Sequence, residues 1–305
     1  MAEDLGSSVP RRHLGRILRE LRLDAGITLD AASDAIACSR QKVWRIETGL
    51  GTTRAVDVRA LCDLYNTDPD LTAALVTVAA ETKATGWWHA HDNPVPAWFT
   101  PYPGLENAAA RIRSYQQALL PGLLRTPAYH QAVHPHRPDH PEHLHEVRHP
   151  PGNLLTRRLP PPPRLYVVLS EAVLLRRVGE PGVMAEQLTH LLRLTELPHV
   201  AVRVLPLSAG VPEAALAGPF TMLDFTPDRR VTPDPPVVYR ASLTGDLYLD
   251  RPEEITSYER LWLAIATHAL NEDTSVRLIE KINHQVHARP GEGDRWSVAA
   301  GQHPL

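Results

Sequence analysis

The chain has 305 residues, only two cysteines and a net charge of −3, with 43% hydrophobic and 22% charged residues. That length accommodates two domains and a sizeable core. The cysteine count excludes a disulfide-built scaffold, no stretch approaches the roughly 20 apolar residues of a membrane span, and the N-terminus has no apolar signal segment. A cytoplasmic protein with no cofactor is the expectation. Cys38 and Cys62 are expected to be core thiols.

The charge is unevenly spread. Residues 11–59 hold ten Lys and Arg against six Asp and Glu, a surplus of four, so the remainder carries minus seven. A basic N-terminal module on an acidic body places a phosphate-attracting field at the front of the chain.

Residues 1–10 read as a flexible tail, and 11–84 as an all-α module of five helices. Arg11–Ala25 carries Leu14, Ile17, Leu18, Leu21 and Ala25 at helical spacing, and Gly26 stops it. Thr28 can cap a second helix, whose inner face is Ala32, Ala35 and Ile36. Ser39 caps a third. There Val43 and Ile46 point inward, and Arg40, Gln41, Trp44 and Arg45 share the opposite face. Gly49 ends it. Residues 54–66 and 69–83 give two more helices, with Val58, Leu61, Leu64, Tyr65, Leu71, Leu75 and Val78 closing the core.

The two patterns split by Ala37-Cys38-Ser39 have the layout of a DNA-binding helix-turn-helix. A helix face of Arg, Gln and Arg suits base reading in a major groove. Guanidinium groups can donate bidentately to guanine, and an amide can pair with adenine. Lys42, Trp44, Ser39 and Thr28 complete the expected DNA-binding set.

The segment resembles the Xre family, the Cro and lambdoid repressor type of helix-turn-helix. The resemblance implies a recognition helix over Ser39–Thr48, with Arg40, Gln41 and Arg45 at its base-reading positions. It pairs Glu47 with Arg22, which is read here as a stabilising salt bridge. Two positions depart from the family. Ala37 stands where Gly is usual, which implies mild left-handed strain, and Leu29 stands where a phosphate-binding Gln is usual.

Residues 85–286 read as an α+β domain with a mixed or antiparallel sheet. Trp87, Trp88, Trp98, Phe99 and Tyr102 form an aromatic cluster, expected to pack the two domains together rather than to cage a ligand. An amphipathic helix is expected over 104–119, followed by a loop through Pro121–Pro127. Strands are expected at 164–169, 200–205, 220–225, 237–243 and 246–249. Helices are expected at 181–196, 252–270 and roughly 273–285. Residues 287–305 read as a loose tail.

Gly86-Trp87-Trp88, Gly104-Leu105-Glu106, Pro121-Gly122-Leu123-Leu124, Val168–Ala172, Val204-Leu205-Pro206 and Gly218-Pro219-Phe220 occur in this order. Together they resemble the actinobacterial Xre regulators with a C-terminal domain of unknown function, which include WhiJ-like developmental regulators. The resemblance covers about residues 11–285. It implies transcriptional control, and often a small acidic partner protein encoded nearby. It implies no established effector. One helix-turn-helix touches too few bases for specificity, so a homodimer on a double-stranded DNA operator is expected.

Residues 130–163 depart from that family as a His- and Pro-rich loop. His145-Glu146-Val147-Arg148-His149 matches H-E-x-x-H, the zinc-peptidase pattern. Pro150 follows at once, Pro135, Pro138 and Pro141 interrupt the preceding segment, and Leu155 stands where an extended motif places a third His. The reading is therefore a regulator and not an enzyme. An Xre–zinc metallopeptidase fusion and an antitoxin-like module holding a small partner are the alternatives. A metal site, not expected here, would rest on His145 and His149.

Overall fold

The structure is a computed structural model. It describes residues 8–51, 53–81, 101–133, 153–180, 182–210, 217–226, 235–241 and 246–287. The tails up to residue 7 and from 288, and most of the expected aromatic cluster and His-rich tract, lie outside the described residues.

The N-terminal module is helical: α1 Val9–Asp24, α2 Leu29–Ala35, α3 Arg40–Glu47, α4 Ala55–Leu64 and α5 Pro69–Glu81. Its core is Leu14, Leu18, Ala32, Ile36, Val43, Ile46, Val58, Leu61, Cys62, Tyr65, Leu75, Val78 and Ala79, with Cys38 packed at its edge. Both cysteines are free thiols. Two expected core positions are not in it: Ala25 is the exposed C-cap of α1, and Ala35 is exposed at the end of α2. Alanine fits either side of a helix, so spacing alone misplaces it. Ser33 is buried instead, its hydroxyl donating to Asp30 O at 2.7 Å.

Gly15 sets how closely α1 crosses α3. A Cβ there would lie 2.3 Å from the Ile46 carbonyl oxygen and 2.8 Å from that of Glu47. Only glycine lets the two backbones meet at that distance.

Beyond the module come α6 (Tyr102–Ala108), β1 (Arg111–Gln116), α7 (Pro127–Val133), α8 (Asn153–Thr156), β2 (Arg164–Ser170), α9 (Glu171–Leu175) and α10 (Val183–Thr195). Then follow β3 (Val200–Leu205), β4 (Phe220–Asp224), β5 (Val237–Arg240), β6 (Leu247–Leu249), α11 (Pro252–His268) and α12 (Glu272–Ile282). The strands form a six-stranded mixed sheet of order β3-β2-β1-β4-β5-β6. β2 and β3 run parallel, with Leu165 opposite Val200 and Leu169 opposite Val204. β4, β5 and β6 run antiparallel, with Met222 opposite Val238 and Tyr239 opposite Tyr248.

The helix expected over 104–119 is corrected. α6 ends at Ala108, Ala109 turns extended at φ −65° and ψ 139°, and β1 follows. Ile112, Arg113, Ser114 and Tyr115 are all buried, because β1 lies inside the sheet order. A strand covered on both faces lacks the polar–apolar alternation that would reveal it. α7 replaces part of an expected loop. Pro127 is its first residue, where a missing N–H costs a helix nothing.

By its contacts the chain divides into two compact units. One holds the described residues up to Ile112 with Phe220–Arg260, and the other the described part of 113–219 with the residues from Leu261. Within the first unit, the start of α1 is tied to Asp250, just before α11. Ser8 N donates to Asp250 Oδ2 at 3.0 Å, the Ser8 hydroxyl donates to the same carboxylate, and Arg12 Nη2 lies 3.5 Å from it. Tyr102 stacks at 3.9 Å on Tyr239, which packs at 5.3 Å on Tyr248. In the second unit, Gln187 on α10 is fully buried. It accepts from Thr126 N and donates to Leu124 O, each at 2.7 Å.

Candidate nucleic-acid interface

The interface is built on α2, the turn and α3. Thr28 Oγ1 accepts from Ala31 N at 3.2 Å, and Ser39 Oγ accepts from Lys42 N at 3.3 Å. Each hydroxyl satisfies an N–H that its helix leaves open, so both helices start at a defined residue. Ala37 takes φ +48°, the left-handed conformation its place in the turn implies. This non-glycine residue therefore carries strain of about 1 kcal/mol or more.

α3 has two faces. Val43 and Ile46 are buried, while Arg40, Gln41, Trp44 and Arg45 are exposed, Trp44 by 44%. The exposed face therefore carries both guanidinium groups, the amide and an indole. Arg40 Nη1 lies 3.7 Å from Asp30 Oδ2 on α2, with both side chains well exposed. Such a pair is worth about 0–1 kcal/mol, so it gives way readily to a stronger partner. Arg45 Nη2 donates to Leu50 O at 3.3 Å. Leu29 packs, partly buried, against the module's core.

Lys42 is differently placed from the rest of the expected set. Its ammonium donates to Asp57 Oδ2 at 3.1 Å, and Arg54 grips the same carboxylate at 2.6 and 3.1 Å. Asp57 is buried, and the hydrogen bonds from Arg54 and then Lys42 hold its carboxyl below the usual range. Lys42 thus ties α3 to α4.

Arg22 and Glu47 meet as expected. Arg22 Nε donates to Glu47 Oε1 at 2.6 Å and Nη2 to Oε2 at 3.0 Å, while Nη1 donates to Ile27 O at 2.9 Å. The hydrogen bond to Glu47 raises the Arg22 pKa. Glu47 sits at the C-terminal end of α3, where negative charge is unfavourable, and Arg22 offsets it. Tyr65 lies beside the pair, and burial followed by the Glu47 charge pushes its phenol up.

Residues 13–75 match a helix-turn-helix domain, and residues 99–281, more than half of the chain, match a domain of unknown function (DUF5753). The chain belongs to the DUF5753 family. No curated protein and no solved structure matches it. The two matches give the expected pairing, a helix-turn-helix regulator with a C-terminal domain of unknown function. In this DUF5753 protein the helix-turn-helix makes the N-terminal module a DNA binder, and Thr28, Ser39, Arg40, Gln41, Lys42, Trp44 and Arg45 all fall inside that match.

The DUF5753 match begins just before α6 and ends within α12. His145, Glu146 and His149 fall inside it but outside the described residues. Among the described residues, no cluster of three or more His, Cys, Asp or Glu is placed to hold a metal ion. Likewise, no described helix is long and apolar enough to cross a membrane.

Proposed function

We propose that this protein is a sequence-specific transcriptional regulator of the cytoplasm, of Xre type, that reads double-stranded DNA with α3. The supporting observation is the capped α3 that seals the core with Val43 and Ile46 while presenting Arg40, Gln41 and Arg45 outward. Arg40 and Arg45 read guanine, Gln41 reads adenine, and Trp44 packs on a thymine methyl. Thr28 and Ser39 sit at helix starts, where main-chain N–H groups can face phosphates. Lys42 acts by orienting α3 through Asp57.

One such helix touches too few base pairs to select a genomic site, so the working species is a homodimer on an inverted repeat. Half-site centres lie about one helical turn apart, roughly 10 base pairs. The C-terminal region senses a small molecule or holds a small partner protein. The His-rich tract serves no peptidase reaction.

Selection of binding sites from random duplexes tests this reading. It should return an inverted repeat bound by two chains. An asymmetric site bound by one chain, or no enriched sequence, would contradict it. The enzyme alternative is tested by Glu146→Gln, which should leave both DNA binding and regulation unchanged.

A further inference from the structure

We propose that Asp250 is a positioning residue for the DNA-reading helix, holding the first turn of α1 against which the end of α3 rests. This rests on the DNA-reading role proposed for α3 above, and gives the C-terminal region a way to act on it.

α1 does not cap itself. Its N-cap residue Ser8 makes no side-chain hydrogen bond into the helix, and its first turn carries Arg11 and Arg12 with no acidic residue. Positive charge is unfavourable at that end of a helix. The anion that offsets it comes from Asp250, 242 residues further along the chain. Its carboxylate accepts from Ser8 N at 3.0 Å and from the Ser8 hydroxyl, and lies 3.5 Å from Arg12 Nη2. The Asp250 and Arg12 side chains are both buried, so solvent screens the pair little. Asp250 directly follows β6, which is paired to β5, so the sheet presents the carboxylate. It belongs to the DUF5753 match, and both ends of the tie lie in one compact unit.

The turn that Asp250 holds is the turn on which α3 ends. Gly49, just past α3, lies so close to α1 that a Cβ on it would stand 2.6 Å from the Arg12 amide nitrogen, Cα and Cγ. Gly49 takes φ +69° and donates its N–H to Ile46 O at 3.0 Å, which closes the last turn of α3. About one turn further along α1, Gly15 meets the Ile46 and Glu47 carbonyls. Arg12 therefore touches Asp250 with its side chain and the end of α3 with its backbone. Backbones packed this closely move together, so a loosened first turn of α1 frees the end of α3 that carries Trp44 and Arg45. A change at the junction of β6 and α11 thus reaches the reading face through two residues, Asp250 and Arg12.

Hydrogen exchange on the full chain without DNA, together with binding to the selected duplex well below the melting temperature, tests this. Asp250→Ala should speed exchange in residues 8–15 and 44–50 and leave α5 and the β2–β3 pair at wild-type rates. It should weaken binding to the selected duplex about fivefold. A role confined to stability would leave the affinity of the folded variant unchanged. Asp250→Asn keeps the volume and an acceptor for Ser8 but not the charge. It should show the same pattern more weakly, and it decides the matter if Asp250→Ala does not fold. Wild-type affinity in the folded variant, or faster exchange that spares residues 44–50 or spreads over the whole chain, overturns the assignment. Because exchange is read without DNA, the hold on α3 and the DNA-reading role can fail separately.

Discussion

Arg22 Nε lies 2.6 Å from Glu47 Oε1, a buried pair that joins the last turn of α1 to the C-terminal end of α3. Its value lies in orientation more than in net stability. Breaking one partner of a buried pair typically costs about 3–5 kcal/mol, whereas replacing both with apolar residues is often nearly neutral. Glu47→Ala should therefore lower unfolding stability by about 3 kcal/mol or more in urea titrations. Arg22→Met combined with Glu47→Leu should recover most of that loss. If the double variant is as unstable as Glu47→Ala, the pair is needed for more than charge balance.

Ala37 holds φ +48° in the helix-turn-helix turn. Glycine has no Cβ penalty there, so Ala37→Gly should raise stability by about 0.5–1 kcal/mol despite the added freedom of the unfolded chain. Thermal unfolding would show this as a rise of a few degrees. A lower melting temperature would mean that the turn is relaxed with alanine in place.

His13 supplies an acid-sensitive element. Burial, with Arg16 second, pushes its pKa down to about 4. The unfolded chain takes up this proton near pH 6.5, whereas the folded one refuses it until about 4. The stabilising effect is thus fully present above pH 6.5 and is lost progressively as pH falls toward 4, a change of about 3 kcal/mol. His13→Gln should flatten the stability–pH curve over that window, whatever its stability at pH 7. An unchanged slope would place the titration elsewhere.

Asp30 holds Arg40 in the unbound protein and adds a negative charge where phosphates would approach. Asp30→Asn should tighten DNA binding about threefold, on the order of 0.5–1 kcal/mol. The gain should shrink as salt is raised. Weaker binding by the variant would mean that Asp30 positions Arg40 rather than competing for it.

The helical module was largely legible in the sequence because its signals are local. Thr28 and Ser39 stand one residue before apolar helical patterns, and the 3.6-residue period separates Val43 and Ile46 from Arg40, Gln41 and Arg45. The bond from Lys42 to Asp57 gave no local signal, because that partner comes from a different helix, fifteen residues on. Gly15 carries no local signal either, since the carbonyls that exclude a side chain belong to α3. β1 was hidden because Ile112, Arg113, Ser114 and Tyr115 are all covered, which removes alternation. The Gln187 clamp could not be read at all, because a lone glutamine on a helix gives no sign that it reaches a loop some sixty residues earlier.

The most direct test of the account is base-pair-specific binding by α3. With a selected site in hand, Gln41→Ala and Arg45→Ala should each cost about 1–3 kcal/mol on that site and much less on scrambled duplex. Each variant should also lose discrimination at one base pair per half-site. If both variants bind the selected and scrambled duplexes with equal losses, α3 is a backbone contact and not the reading element, and the central claim is wrong.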